Sequence, residues 1–222
     1  RENGFHRAHK SLSNPIDREH FCPSKNDEEK QKLKKRFGFS SHTVLYTGRL
    51  AEEKQIDVIV KAIANTQKSV PDISFAITGI GSSEKSLRGL TRKLGLERAV
   101  LFLGHVDKEI LPLVYKASDI FVIMSTAESQ SLSLMNAMAS GLPVIGARAR
   151  ALPEYITPSN GIIVDVGDFM GLSREIIKLC THPDYAHKLG DGGIATVREF
   201  SPSAIAKAWE TIYNDVIWKH RE

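Results

Sequence analysis

The sequence predicts an α/β domain of three layers, a parallel sheet of about six strands between two layers of helices. Two observations carry that expectation. Short runs rich in Val, Ile and Phe alternate with stretches whose apolar residues fall at helical spacing, the pattern of parallel strands joined by crossover helices. Runs are followed by residues that permit a sharp turn, Gly48, Gly79, Gly104 and Gly146. A chain of 222 residues, 41% of them hydrophobic, can bury one sizeable core of this kind.

The elements follow in order. Residues 1–40 are expected as a linker plus one charged helix, Glu28 to Phe37. The lead from Arg1 to Ser13 is polar without an apolar period, and a start without Met suggests a fragment. Residues 41–200 hold the domain. Strands are expected at Val44 to Tyr46, Ile73 to Ile77, Val100 to Leu103, Ile120 to Met124, Pro143 to Ile145 and Ile162 to Val164. Ile56, Ile59, Val60 and Ile63 mark a helix after the first strand. Ile205, Trp209, Ile212 and Val216 mark a last one within residues 201–222, so that both faces of the sheet are covered. Ligands of such a sheet gather beyond the carboxyl ends of its strands, at the topological switch point.

Bulk composition removes several function classes. Thirty Lys plus Arg against 26 Asp plus Glu gives +4, scattered along the chain, which argues against a nucleic-acid partner but leaves room for one local anionic ligand. Cys22 and Cys180 lie far apart with no clustered His, so neither a disulfide framework nor a zinc knuckle is suggested, and a reducing, cytoplasmic setting is expected. No run approaches the roughly 18 to 20 apolar residues that a membrane span needs.

Two segments could carry chemistry. Gly48-Arg49-Leu50-Ala51-Glu52-Glu53-Lys54 is a strand end followed by two cations five residues apart as a helix begins. Such a turn can aim both cations and its N–H groups at a diphosphate. The plainer alternative is that Arg49 and Lys54 are solvated charges paired with Glu52 and Glu53. The second segment runs from Thr126 through Glu128, Ser129, Gln130, Ser131, Leu132 and Ser133 to Asn136 and on to Gly141. A polar turn into a helix leaves unpaired N–H groups and the positive end of the macrodipole facing any anion above the sheet. Its plainer alternative is ordinary capping by Ser129 or Ser131, with Leu132, Met135 and Met138 as core.

Together with Asn14-Pro15-Ile16-Asp17 and Phe21, Thr78-Gly79-Ile80-Gly81, Phe102-Leu103-Gly104-His105-Val106, Ala117-Ser118-Asp119-Ile120-Phe121-Val122 and Ala137-Met138-Ala139-Ser140-Gly141-Leu142-Pro143-Val144-Ile145, these segments resemble one family in sequence order. The family is the group 1 retaining glycosyltransferases of GT-B architecture, and the chain resembles their C-terminal, Rossmann-like donor-binding domain. The resemblance implies transfer of a hexose from a UDP-sugar or GDP-sugar, with retention, to an acceptor such as a lipid or glycan. It implies that Arg49 and Lys54 hold the donor diphosphate, that Glu128 approaches the transferred sugar, and that these three are the catalytic set. Gly48, Gly79, His105, Val106, Ser129, Gln130, Ser131, Leu132, Ser133 and Asn136 are implied as donor contacts, with Lys108 beside the base-binding loop and Glu154 at a helix start near the donor.

No cofactor or metal is implied, since cations and a helix N-terminus take the metal's place. The implied partners are the acceptor-binding N-terminal domain of the same enzyme, toward which residues 201–222 with Trp209, Tyr213 and Trp218 would pack, and peripheral membrane contact through that domain. The form Gly-Arg-Leu-Ala-Glu-Glu-Lys followed by Ile56-Asp57 looks like versions acting on diacylglycerol.

One departure stands out. The family's Glu, seven residues, Glu motif has its second Glu, which bonds the ribose hydroxyls, replaced here by Asn136. An amide can still donate and accept, but a non-catalytic nucleotide-sugar-binding subunit or sensor is the alternative this change raises. A nucleotide-sugar epimerase is a third reading. Against it, Gly79-Ile80-Gly81 is followed by Ser83-Glu84 where a dinucleotide fingerprint needs its third glycine. His6 and His9 have helical spacing but no acidic partner for zinc.

Overall fold

The computed structural model describes residues 12–219, and side chains as far as 215. His6, His9 and most of the polar lead lie outside the described residues, as do the side chains of Val216 and Trp218. The chain runs α1 (Asp27–Phe37), β1 (His42–Thr47), a 3-10 turn (Glu52–Lys54), α2 (Ile56–Thr66), β2 (Ile73–Thr78), α3 (Glu84–Lys93), β3 (Val100–Gly104), α4 (Leu111–Lys116) and β4 (Ile120–Ile123). It continues through α5 (Leu132–Ala139), β5 (Val144–Ala147), α6 (Leu152–Tyr155), β6 (Gly161–Val164), α7 (Phe169–Thr181) and α8 (Pro183–Thr196), then a 3-10 turn (Val197–Phe200) and α9 (Pro202–Lys219).

The six strands form one sheet in the order β3-β2-β1-β4-β5-β6, and every pairing is parallel. This is the Rossmann-like arrangement expected. The order reverses between β1 and β4, so the two loops that leave those strands diverge and open a crevice at their carboxyl ends. Val44, Leu45, Phe75, Ile77, Phe121, Val122, Val144 and Ile145 are fully buried, which is why these strands are continuous apolar runs instead of alternating ones. On one face α2 packs against α3 and α7, with Thr66 and Ser173 sharing a buried hydrogen bond of 2.9 Å; on the other, α5 packs against α8.

Local chemistry fixes the ends of α1. Asn26 Oδ1 accepts from the Glu29 N–H at 2.9 Å, acids fill the first turn and cations the last, and Gly38 closes the helix at φ 69°. Its Lys34 ammonium is buried, which pushes its pKa below the ordinary lysine value, and it is bonded to Asp119 and to the carbonyls of Ser40 and Ser41. The stretch before β1 is packed onto the body: Ile16, Leu33 and Phe39 are buried, and the Ile16 N–H donates to the Phe200 carbonyl at 2.8 Å.

Two expectations change. Gly146 lies inside β5, not at a turn, and its missing side chain makes room for the Ile156 side chain. The last helix does not cover a face of the sheet: Ile205 is buried, but Trp209 is 44% and Tyr213 60% exposed, their rings stacked 5.5 Å apart. Helical apolar spacing shows that a helix has an apolar stripe, and says nothing of what the stripe faces. No helix among the described residues is long and apolar enough to cross a membrane.

Candidate functional site

The first wall of the crevice is the turn after β1. Gly48 takes φ 154°, its N–H donates to the Thr78 carbonyl at 3.2 Å, and a Cβ there would press on Tyr46 Oη at 2.9 Å. The buried Tyr46 hydroxyl donates to the Arg49 carbonyl at 3.0 Å, which sets the turn from below. Burial raises its pKa, and the charges of Glu128 and Glu53 add to the rise, so the phenol stays a donor.

The turn after β2 supports this one from behind. Leu50 N–H donates to the Ile80 carbonyl at 3.0 Å and Ser83 N–H to the Leu50 carbonyl at 2.9 Å. Side chains at Gly79 and Gly81 would overlap the carbonyls of Gly48 and Leu50, so this Gly-x-Gly lets two backbones pass in contact. That packing explains a glycine pair which, by itself, resembles part of a dinucleotide fingerprint.

The second wall is the loop between β4 and α5. Thr126 bolts it to the first, its N–H and hydroxyl both reaching the Glu53 carbonyl, at 2.9 and 3.3 Å. Lys54 Nζ then lies 2.6 Å from Glu128 Oε1 and 3.4 Å from Ser125 Oγ, with the Lys54 and Glu128 side chains only 15% and 13% exposed. Arg49 points outward, 71% exposed, and pairs with Glu53 at 2.9 Å. The Glu53 carboxyl is held below its ordinary pKa, first by its own backbone N–H and then by Arg49.

Of the pairings with Glu52 and Glu53 that the plainer sequence reading allowed, Arg49 takes one. Lys54 takes an acid from the other segment instead, 74 residues away.

Beyond Glu128 the chain turns into α5. Ser131 caps it, Oγ accepting from the Leu134 N–H at 3.3 Å. The N–H groups of Ser129, Gln130, Ser131, Leu132 and Ser133 have no acceptor among the described residues. Five backbone donors at a helix start, beside a cation and an acid, form a cradle for an anion that also carries hydroxyl groups.

The other expected residues are distributed unevenly around this cradle. Leu132 is not core: it is 47% exposed at the first position of α5, while Met135 and Met138 on the opposite side are buried. Asn136 is half-buried and its amide has no partner among the described residues. Gln130 is bonded to Asn14, Oε1 accepting from the Asn14 N–H at 2.7 Å and from Nδ2 at 2.9 Å.

His105 and Val106 follow β3, two strands from β1 and thus about 10 Å along the sheet edge. His105 is exposed and Val106 packs on the core. Lys108 is exposed and lies 3.6 Å from the Glu109 carboxylate. Glu154 is exposed on the single turn of α6, whose entry touches the loop where the Ala151 N–H meets the Glu128 carbonyl at 3.4 Å. A cavity of about 360 Å³ between the starts of α2 and α3 is lined by Ala51, Glu52, Ile56 and Ser83, with neither Lys54 nor Glu128 in its wall.

Sequence reasoning missed Tyr46, Ser125 and the Thr126 bolt. Tyr46 carried a usable signal, a polar-tipped residue at an otherwise apolar strand position two before the glycine.

Comparison with known proteins places this geometry. Residues 27–196 match the family model described as glycosyl transferases group 1. D-inositol 3-phosphate glycosyltransferase of Corynebacterium kroppenstedtii is 31% identical over 209 residues, which cover 90% of this chain and 46% of that protein. The chain thus spans about half the length of the curated relatives it matches. Among solved structures, the C-terminal domain of a glycosyl transferase group 1 family protein from Francisella tularensis superposes with a TM-score of 0.75 at 25% identity, covering 82% of this chain and 96% of that one. The Anabaena protein HepE, solved in complex with UDP, shares the fold with a TM-score of 0.83 at 24% identity over 92% of this chain and 57% of its own.

Proposed function

The chain belongs to the group 1 glycosyltransferases and has the fold of their C-terminal domain, and from that premise we propose that it is the donor-binding half of an enzyme that transfers a hexose from a UDP-sugar or GDP-sugar with retention of configuration. The observation that carries this reading is the Lys54 and Glu128 pair at 2.6 Å beside five unpaired N–H groups. A nucleotide-diphosphate sugar needs a cationic and N–H-lined seat for its diphosphate, with a hydroxyl-binding acid next to it. HepE's complex with UDP, on the same fold, supports a nucleotide donor.

In this reading the bond from the anomeric carbon to the diphosphate oxygen breaks, and the charge that grows on the leaving diphosphate meets Lys54, Arg49 and the start of α5. Groups already fixed in place stabilise that charge without reorganising as it forms, so leaving-group stabilisation is the chemistry this domain supplies. Two protein cations and a helix N-terminus do this without a metal ion. Glu128, released from Lys54 when phosphate arrives, turns to the sugar hydroxyls. The acceptor, a lipid or glycan, and the base that deprotonates it belong to the partner domain, through which the enzyme would meet a membrane from the cytoplasmic side.

A second reading, a nucleotide-sugar-binding subunit without turnover, is favoured by one observation: the Asn136 amide is half-buried and unpartnered where the family carries an acid. Calorimetric titration with UDP, GDP and ADP, repeated on Arg49→Ala and Lys54→Ala, tests the donor seat. Binding of one diphosphate, weakened by more than about 1 kcal/mol in each variant, sustains it; unchanged binding in both variants removes it. Transfer or donor hydrolysis by the full-length protein excludes the second reading.

A further inference from the structure

The segment by which the chain enters the domain grips the α5 loop at two points. At the first, the Gln130 amide and Asn14 exchange three hydrogen bonds: Oε1 accepts from the Asn14 N–H at 2.7 Å and from Asn14 Nδ2 at 2.9 Å, and Nε2 donates to the Asn14 carbonyl at 3.4 Å. At the second, Phe21 sets its ring edge-on to Tyr115 at 5.4 Å, and the buried Tyr115 hydroxyl donates to the Ser133 carbonyl at 3.1 Å. Gln130 and Ser133 both lie within the stretch whose N–H groups are unpaired among the described residues. Between the two grips the entry segment is itself anchored by buried Ile16 and its N–H bond to the Phe200 carbonyl, and Asp17 shapes it locally, its carboxylate accepting from the His20 N–H at 3.1 Å.

A loop with five unpaired N–H groups has few internal bonds, those around Ser131 among them, so part of its geometry must come from outside. Asn14 supplies part of it at Gln130, as Glu53 does at Thr126 and Lys54 at Glu128.

We propose that Gln130 and Asn14 are positioning residues: their amide pair is a latch through which the polypeptide preceding the domain sets the conformation of the phosphate-facing loop. The consequence for recognition rests on the donor-site reading; the latch itself does not. Gln130 then acts on the diphosphate through the loop backbone, and displacement of the entry segment releases the loop.

The test measures amide hydrogen exchange at Leu134 and Met135, whose N–H groups are bonded to Ser131, in the 222-residue chain without ligand, for wild type, Asn14→Ala, Gln130→Ala, the double variant and Gln130→Glu. The latch predicts that Gln130→Ala, which removes all three bonds, raises exchange by about threefold to tenfold, and that Asn14→Ala, which removes only the Nδ2 bond and keeps the Asn14 N–H and carbonyl in place, raises it less. It also predicts that the double variant is no worse than Gln130→Ala alone, and that Gln130→Glu, which keeps both Oε1 bonds and loses the Nε2 one, stays closer to wild type than Gln130→Ala. Calorimetry with UDP, GDP and ADP on the same proteins forms the second arm. The diphosphate that wild type binds should weaken in Gln130→Ala, less in Asn14→Ala, and in the double no further than in Gln130→Ala.

Unchanged exchange in Gln130→Ala overturns the latch. So does a loss of diphosphate affinity in Gln130→Ala without raised exchange, which makes Gln130 a direct ligand. If wild type binds none of the three diphosphates, the donor reading is what fails, and the exchange arm still decides the latch.

Discussion

Lys54 Nζ lies 2.6 Å from Glu128 Oε1, joining the turn after β1 to the loop after β4 across the switch point of the sheet. The cation that would hold phosphate is therefore already neutralised by the acid that would meet the sugar. Removing the acid by Glu128→Gln should leave Lys54 free and tighten binding of inorganic pyrophosphate to the chain, while lowering turnover in the full-length enzyme. Removing the cation by Lys54→Met strands a carboxylate that is only 13% exposed and should lower stability by about 1 to 3 kcal/mol, because an unpaired, partly buried charge keeps its desolvation cost. Titration calorimetry and urea melts separate the two; weaker pyrophosphate binding in Glu128→Gln would show that the pair does not compete with the anion.

Arg49 should behave in the opposite way. Its side chain is 71% exposed and its partner Glu53 is at the surface, so Arg49→Ala should change the urea midpoint by less than about 0.5 kcal/mol of stability. The same variant should weaken diphosphate binding by more than about 1 kcal/mol, since a charge-assisted hydrogen bond to phosphate is lost. A variant that loses stability and keeps its affinity would assign Arg49 to the fold.

The paired turns make a prediction about backbone approach. A methyl at Gly79, φ 114°, would overlap the Gly48 carbonyl, whereas a methyl at Gly104, φ 66°, meets nothing within 4 Å. Gly79→Ala should therefore cost about 3 kcal/mol or more and displace the Arg49 turn. Gly104→Ala should cost only the about 1 to 2 kcal/mol of a left-handed alanine. Thermal melts of the two variants decide it, and equal shifts would mean that the turns separate without penalty.

The sheet was legible because burial on both faces writes each strand as an unbroken apolar run; Val44, Phe75, Phe121 and Ile145 all came from that pattern. The turns were legible where a glycine is needed for its backbone, as at Gly48 and Gly79, and misleading where it is needed for packing, as at Gly146. Partner choice was the part that local sequence does not encode. Lys54 has acids one and two residues before it and pairs with one 74 residues after it, because the 3-10 turn points it back over the sheet while Thr126 draws the second loop to Glu53. Trp209 fails for a related reason: spacing alone does not show whether an apolar stripe faces this domain.

Acid should loosen the junction before β1. The Asp72 carboxyl is held below its ordinary value of 3.8, first by the Ser41 hydroxyl and then by the Ser41 N–H at 3.1 Å. Between that lowered value and 3.8 the unfolded chain binds more protons than the folded one, so stability rises with pH through this window. The contribution is fully present above 3.8 and is lost as pH falls through the folded value. Urea midpoints measured downward from about pH 5 should drop less steeply in Asp72→Asn than in wild type; parallel curves would assign the acid sensitivity elsewhere, Asp17 with its bond from the His20 N–H being the next group to test.

The half-buried amide of Asn136 gives the sharpest test of how the seat reads a nucleoside. It lies on α5 beyond the unpaired N–H groups and has no partner among the described residues, so a ligand hydroxyl could reach it without breaking an existing bond. A carboxylate at this position accepts from vicinal hydroxyls with charge assistance, where an amide accepts as a neutral group, a difference of about 1 kcal/mol. Asn136→Glu should therefore tighten the nucleoside diphosphate by about fivefold while leaving inorganic pyrophosphate unchanged or slightly weaker, since only the ribose supplies hydroxyls for the added carboxylate. Parallel calorimetry with both ligands reads the difference directly. Equal weakening of both would place residue 136 against the phosphates, and no change in either would place it outside the seat.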